Sequence, residues 1–259
     1  MTEPINNDSV LLTIAEIRFN TIFNMPDYIA LIQDGFRLAN YPGYVHLRNK
    51  GFQLAEPDST KSMAPSVHDV YQFSNLDKTS HFRLNLECLT YYSSNYKDFK
   101  SFLSFFMEGL FIISKILNMT MTQRFGLRFI DRLMINKDEN IQQYLAVQEA
   151  LLFDKLGNNC EYTFSEVKNL IKEVQLFNRV KVFRNGSLEF PSDIDPSGMV
   201  FKEKFISYVG ASAVIDTDAF VRKNSKLSLE LIKSNFDELH NYVVAAFNAS
   251  VSDLAKKSE

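Results

Sequence analysis

Hydrophobic and polar positions in the first half of the chain switch repeatedly between a period of two and a period of 3.6, and the switches predict its elements. Residues 11–19 alternate, placing Ala15, Ile17 and Phe19 on one face and Glu16 and Arg18 on the other. A helix follows. Asn24 is positioned to cap it, Pro26 fits its first turn, and Ile29, Ile32 and Phe36 form its apolar stripe. It ends near Asn40, before Pro42-Gly43. Residues 44–54 alternate again, a loop rich in Pro, Ser and Asp spans 56–69, and a short strand at 71–74 leads into a turn at 75–78. Residues 81–92 read as one long strand, with Phe82, Leu84, Leu86 and Cys88 facing the core and His81, Arg83, Asn85 and Glu87 facing away. Phe99, Phe102, Leu103, Phe106, Leu110, Ile113 and Leu117 then predict an amphipathic helix over 98–117, and 121–135 returns to strand.

That order, β-α-β-β-α-β with room for one extra short strand, is the ferredoxin-like plan, in which two helices cover one sheet face. The second half is less regular. It reads as a helix at 140–156 ended by Gly157-Asn158-Asn159, then extended segments at 162–178, 180–190 and 200–216, with Asn185-Gly186 as a hairpin turn. A long helix over 228–254 closes the chain, its stripe formed by Leu231, Ile232, Phe236, Leu239, Val243, Phe247, Val251 and Leu254. The expected fold class is α+β, with antiparallel sheets and helices on one face. A ferredoxin-like half at 1–137 and a second α+β half at 138–259 are expected to pack closely, since no flexible linker separates them. The terminal helix would run about 40 Å. Being apolar to its end at Tyr242, Phe247, Val251 and Leu254, it predicts contact with a second copy or another protein.

The strand Arg124-Phe125-Gly126-Leu127-Arg128-Phe129-Ile130-Asp131-Arg132, the opening strand Ala15-Glu16-Ile17-Arg18-Phe19 and the late Ile215-Asp216-Thr217-Asp218-Ala219-Phe220 occur together with Asn235-Phe236-Asp237-Glu238-Leu239-His240 in the last helix. This combination resembles a sporadically distributed bacterial family of uncharacterised function, whose central strand reads R-x-G-L-R-[YF]-I-[ND]-R. A family tryptophan near the third strand has no counterpart here, and Phe73 stands in its place. The resemblance implies a cytoplasmic bacterial protein encoded by an accessory gene, and it implies no reaction.

Composition narrows the function classes. With 259 residues, 46% hydrophobic and 23% charged, the chain is long enough for a sizeable core and is not disordered. A net charge of -3 supplies no global field for nucleic acid or anionic membrane. None of the nine glycines forms GxGxxG or GxxxxGK, so the dinucleotide and P-loop cradles are missing. Two cysteines, no signal-peptide core and no run of about 20 apolar residues predict a cytoplasmic location without a membrane span.

Candidate chemistry concentrates on one sheet face. Alternation places Glu16, Arg18, His46, Arg48, Lys50, Arg83, Asn85, Glu87, Arg124, Arg128 and Arg132 opposite the Phe/Leu side, with Gly126 leaving a bare patch among them. Arg18, Arg48, Arg83, Arg124, Arg128 and Arg132 are the candidate anion-binding residues, because guanidinium forks suit phosphate and carboxylate. The competing expectation is that acids of the second half, among them Glu166, Glu173, Asp216 or Asp218, neutralise these arginines internally. Glu16, Arg18, Arg83 and Asn85 occupy the central-strand positions where RNA readers of this plan carry aromatics, so nucleic acid is a disfavoured partner. His46, His68, His81 and His240 are scattered, Cys88 reads as a buried inert thiol, and GxSxG is absent, so no catalytic residue, cofactor or metal ligand is assigned. The expectation is a non-enzymatic binding or protein-interaction module whose partner is another protein or a second copy of itself. Anion binding through the arginine face is the alternative, and a metal-assisted phosphate-processing enzyme using Asp216 and Asp218 is the second alternative.

Overall fold

A computed structural model describes residues 8–53, 64–135, 139–146, 160–186 and 188–257. Nine strands, β1 (Val10–Phe19), β2 (Gly43–Gln53), β3 (Ala64–Ser74), β4 (Ser80–Leu84), β5 (Cys88–Ser93), β6 (Met121–Met134), β7 (Tyr162–Ile171), β8 (Val174–Gly186) and β9 (Gly210–Lys226), form one antiparallel sheet. Their order is β2-β3-β4-β5-β1-β6-β9-β8-β7. The helices are α1 (Met25–Leu38), α2 (Phe99–Ile116), α3 (Glu203–Ile206), α4 (Leu229–Ser250) and α5 (Asp253–Lys257). The protein is therefore α+β, built on a large antiparallel sheet. No described helix is long and apolar enough to cross a membrane.

Two of the three long helices start where side chains replace missing backbone partners, whereas Asn24, expected to cap α1, makes no side-chain cap bond and turns its amide to the Tyr28 hydroxyl instead. Asp98 accepts the Ser101 N–H at 2.8 Å to open α2, and Ser228 accepts the Leu231 N–H to open α4. Ile32 and Phe36 of α1, Phe106 and Leu110 of α2, and Phe236 and Val243 of α4 are buried in one core with Ala15, Ile17 and Phe19 of β1 and Phe125, Leu127 and Phe129 of β6. All three helices thus cover the same sheet face. On the opposite face Leu12, Ile14, Ile130 and Val214 form a smaller apolar cluster, covered by Ile194 and Phe205 of the connection between β8 and β9.

Several expectations change. Residues 81–92 are not one strand: the chain reverses through Asn85–Cys88, where the Asn85 N–H bonds the Cys88 carbonyl at 3.0 Å, and β4 pairs with β5. The reversal changes the phase of the alternation, so Leu89 and Tyr91 join the helix-side core while Cys88 lies opposite Arg18 on the other face. The expected loop at 56–69 is shorter, because β3 begins at Ala64, and residues 54–63 lie outside the described residues. Extended residues 162–178 fold back at Lys172-Glu173, with Lys172 at φ 54°, and no hairpin forms at Asn185-Gly186. Of the helix expected at 140–156, residues 141–143 form a 3-10 turn and Leu145 bridges to Val251, while 147–159 lie outside the described residues. The long terminal helix ends at Ser250; Phe247 near its end and Val251 just beyond it are buried on the chain's own core, while Leu254, in α5, is about half exposed.

Candidate functional site

Because the pleat alternates, β1, β6 and β9 project Ile14, Glu16 and Arg18, then Arg124, Gly126 and Arg128, then Asp216, Asp218 and Phe220 onto the face opposite the long helices. Register sets who meets whom: Arg128 lies opposite Ile14 and Asp218, Gly126 opposite Glu16 and Phe220, and Arg124 opposite Arg18 and Arg222. The connection at 188–209 lays Asp193, Ile194 and Asp195 over this surface. Together these groups bound a cleft of about 300 Å³, lined by Glu16, Arg18, Arg124, Arg128, Asp193 and Asp218 among others.

Arg128 is the best-satisfied group of the set. Its Nε and Nη2 donate to the two oxygens of Asp216 at 2.6 and 2.7 Å, while Nη1 and Nη2 donate to Asp193 at 2.6 and 3.0 Å. Burial by itself would lower its pKa, but the hydrogen bonds and charges of Asp216 and Asp193 outweigh that and raise it. Asp193 is held below the usual carboxylate range chiefly by its hydrogen bonds to Arg128. Arg179 of β8 joins the cluster, donating to Asp216 at 3.1 Å and also to Glu166. Both Asp216 oxygens are thus engaged by guanidinium groups.

The other arginines separate into different environments. Arg124 and Arg18 both donate to the same Glu16 oxygen, Arg18 at 3.1 Å. The Arg124 guanidinium lies 4.2 Å from the centroid of the Phe220 ring. A Cβ at Gly126 would lie 3.6 Å from that guanidinium carbon, so the patch expected to be bare is where Arg124 itself rests. Arg83 bonds Gln72 at 2.9 Å and Asp195 at 3.3 Å. Arg132 is almost fully buried and donates to the carbonyls of Phe205, Gly186 and Tyr208. Arg48 sits far off on β2, mostly exposed, with Asp69 at 3.4 Å. The sequence-derived set therefore divides: Arg18, Arg124 and Arg128 share the cleft, Arg83 borders it, and Arg132 and Arg48 lie elsewhere. Lys50 is outside the described side chains.

Asp193, Asp195 and Ile194 were not foreseen as partners of this face. The available signal was Asp193-Ile194-Asp195 followed by Pro196, an extended tripeptide whose two acids can face one way and whose isoleucine can face another. Of the acids expected to neutralise arginines, Asp216 does so for Arg128 and Arg179, Glu166 for Arg179, and Glu173 pairs instead with Lys223. Asp218 accepts no hydrogen bond among the described residues. Burial pushes its pKa up to about 6, against the opposing pull of Arg128 and Arg124.

The remaining reactive side chains are quiet. Burial pushes the Cys88 thiol up to about 12, which leaves it protonated at neutral pH. Burial lowers His81 to about 3 and His240 to about 4. His240 stacks on Phe99 with centroids 3.9 Å apart, and His81 packs on Tyr92. No cluster of three or more His, Cys, Asp or Glu suited to a metal ion occurs among the described residues. Comparison of the chain with family models, curated proteins and solved structures gives no match.

The raised Asp218 pKa has a thermodynamic sign. Between its unfolded value of 3.8 and about 6 the native state keeps a proton that the unfolded chain has lost, so stability falls as pH rises through that window. Above pH 6 the full cost of the buried charge is felt. Asp218→Asn is therefore expected to stabilise the protein at pH 7.5, by about 2–3 kcal/mol at most, and to have little effect at pH 3.5. Urea unfolding of both proteins at the two pH values checks this, and an equal shift at both would reject it. His81 and His240 act with the opposite sign, since their lowered pKa values make stability fall on acidification below 6.5.

Proposed function

We propose that the protein is a non-enzymatic binding module, and that the cleft on the open sheet face receives the anionic group of its ligand, a phosphate or a carboxylate. One observation carries the reading: Arg18 and Arg124 converge on a single Glu16 oxygen, so two guanidinium groups share one acceptor. Arg18 is about half exposed, with the Glu87 carboxylate 3.8 Å from its Nη1, beyond hydrogen-bond reach, and the Arg124 Nε is buried without an acceptor. Arg128 is less available, being held between two carboxylates. At neutral pH the three lining arginines face three lining acids, Glu16, Asp193 and Asp218. Protonation of Asp218 takes one negative charge out of the cleft wall, and anion binding is expected to strengthen as pH falls through about 6.

The reading treats β1, α1, β5, α2 and β6 as a ferredoxin-like frame. In it β5 and β6 flank β1 and α2 crosses between them, with β3 and β4 as an enlargement of the hairpin region. The β6 motif that resembles the bacterial family is the strand supplying Arg124 and Arg128. Stacking recognition of RNA bases fits poorly, because charged groups hold the central positions and Arg124 covers Phe220. Protein docking is the second reading, favoured by the apolar side chains exposed along β7.

Titration calorimetry with inorganic phosphate, pyrophosphate and citrate tests the cleft. Arg18→Gln and Arg124→Gln are each expected to weaken binding at least about tenfold, while Arg48→Gln, far from the cleft, leaves it unchanged. Equal affinity for wild type and all three variants would overturn the assignment.

A further inference from the structure

β7 is the last strand of the sheet, and among the described residues nothing pairs with its outer edge. Edge strands of soluble proteins are usually short or protected by charge, proline or a bulge. β7 has ten residues, holds an unbroken register with β8, contains no proline, and exposes Tyr162, Phe164, Val167 and Leu170, each more than half accessible. Its backbone polarity follows from the hairpin. A two-residue turn at Lys172-Glu173 makes Ile171 and Val174 a hydrogen-bonded pair, so the odd-numbered residues of β7 bond to β8. The even-numbered residues, 162 to 170, direct their N–H and C=O groups outward.

We propose that two copies of the chain associate by antiparallel pairing of β7 with β7, joining their sheets across a two-fold axis at Val167. The outward amides require even residues of one copy to oppose even residues of the other. Four registers, centred on residues 165 to 168, satisfy this near the strand centre; centring on Ser165 sets Phe164 against Glu166 and leaves that carboxylate no opposite charge across the interface. Centring on Glu166 sets Glu166 against itself, and centring on Lys168 sets Lys168 against itself; both place like charges directly opposite. Centring on Val167 pairs Glu166 with Lys168 of the second copy, and Phe164 with Leu170 of the second copy, each twice by symmetry. That register alone satisfies charge and apolar contact together, so self-complementarity identifies the occupant as a second copy. The interface differs from the terminal-helix contact expected from the sequence, of whose late apolar residues Phe247 and Val251 are buried internally.

The register makes a test sharp. At its two-fold axis the two Val167 residues form a non-hydrogen-bonded pair with Cα atoms about 4.5 Å apart, within disulfide range. Ser165, by contrast, lies about 14 Å from its own symmetry mate, four residues along the strand. In a Cys160→Ser background, which removes the half-exposed thiol, Val167→Cys is expected to give a covalent dimer under mild oxidation and Ser165→Cys to give none. Sedimentation equilibrium of the full chain is expected to show a dimer. Lys168→Pro, which removes an N–H facing solvent in the monomer, should convert it to monomer, and Lys168→Glu should weaken it at least about tenfold. A monomer at hundreds of micromolar, a dimer indifferent to Lys168→Pro, or equal cross-linking at 165 and 167 would overturn the proposal. Coverage of β7 by another segment of the same chain would appear as the first of these.

Discussion

Replacing Arg128 with methionine is expected to lower the stability of the fold by about 3–5 kcal/mol, the cost of stranding a buried charge whose partner has gone. Asp216 is buried and accepts two hydrogen bonds from Arg128, leaving Arg179 alone to compensate for their loss. Asp193 loses its only tie to β6 at the same time, so the connection at 188–209 should become the first site of proteolysis. Urea unfolding at pH 7.5 reads the first effect and limited proteolysis the second. Asp216→Asn in the Arg128→Met background should recover part of the loss, because it removes the stranded charge. An unchanged midpoint with lost phosphate binding would instead make Arg128 a ligand-binding group.

Phe106→Ala should be comparably severe, about 3–5 kcal/mol, because the cavity it leaves cannot collapse. Phe106 is fully buried, with the Phe236 ring of α4 at 5.0 Å. One turn further along α2, a Cβ at Gly109 would strike the ring of Phe82, which shows that the helix already touches the sheet and cannot move inward. A denaturation midpoint unchanged within about 1 kcal/mol would mean that Phe106 is not part of a close-packed core.

What the sequence made legible was what repeats. β1, α1, α2 and α4 lie within a few residues of the segments their periods marked, and the same alternation put Arg124, Arg128 and Arg132 on one side of β6. The reversals at Asn85–Cys88 and Lys172-Glu173 were hidden for different reasons. Leu86 sustains the alternation straight through the first turn, and the second contains neither glycine nor asparagine, although Lys172 adopts a positive φ. Reading through the first turn also placed Cys88 on the wrong face. The cover over the arginine face was hidden differently: residues 188–209 run mostly as irregular backbone, so no period announces that Asp193 will reach Arg128, 65 positions away. Separation between Arg128, held by two carboxylates, and Arg132, caged by carbonyls four residues later on the same face, is equally invisible to a pattern that sees only two arginines.

The position of β1 carries a consequence for how the molecule assembles. The first strand among the described residues lies in the interior of the sheet, with β5 on one side and β6 on the other, so Thr13 waits for Ser93 and Phe129 before its ladder is complete. β6 in turn waits for β9, whose Thr217 meets Phe129 from 88 positions further along the chain. Closing such distant pairs costs chain entropy before any burial repays it, which places the protein among slow folders. During synthesis β1 must remain unpaired until β5 has emerged, and β6 must keep an open edge until β9 arrives. The interval in which this chain is most exposed to wrong pairing is therefore set by the order of its strands in sequence, before the finished sheet has any say.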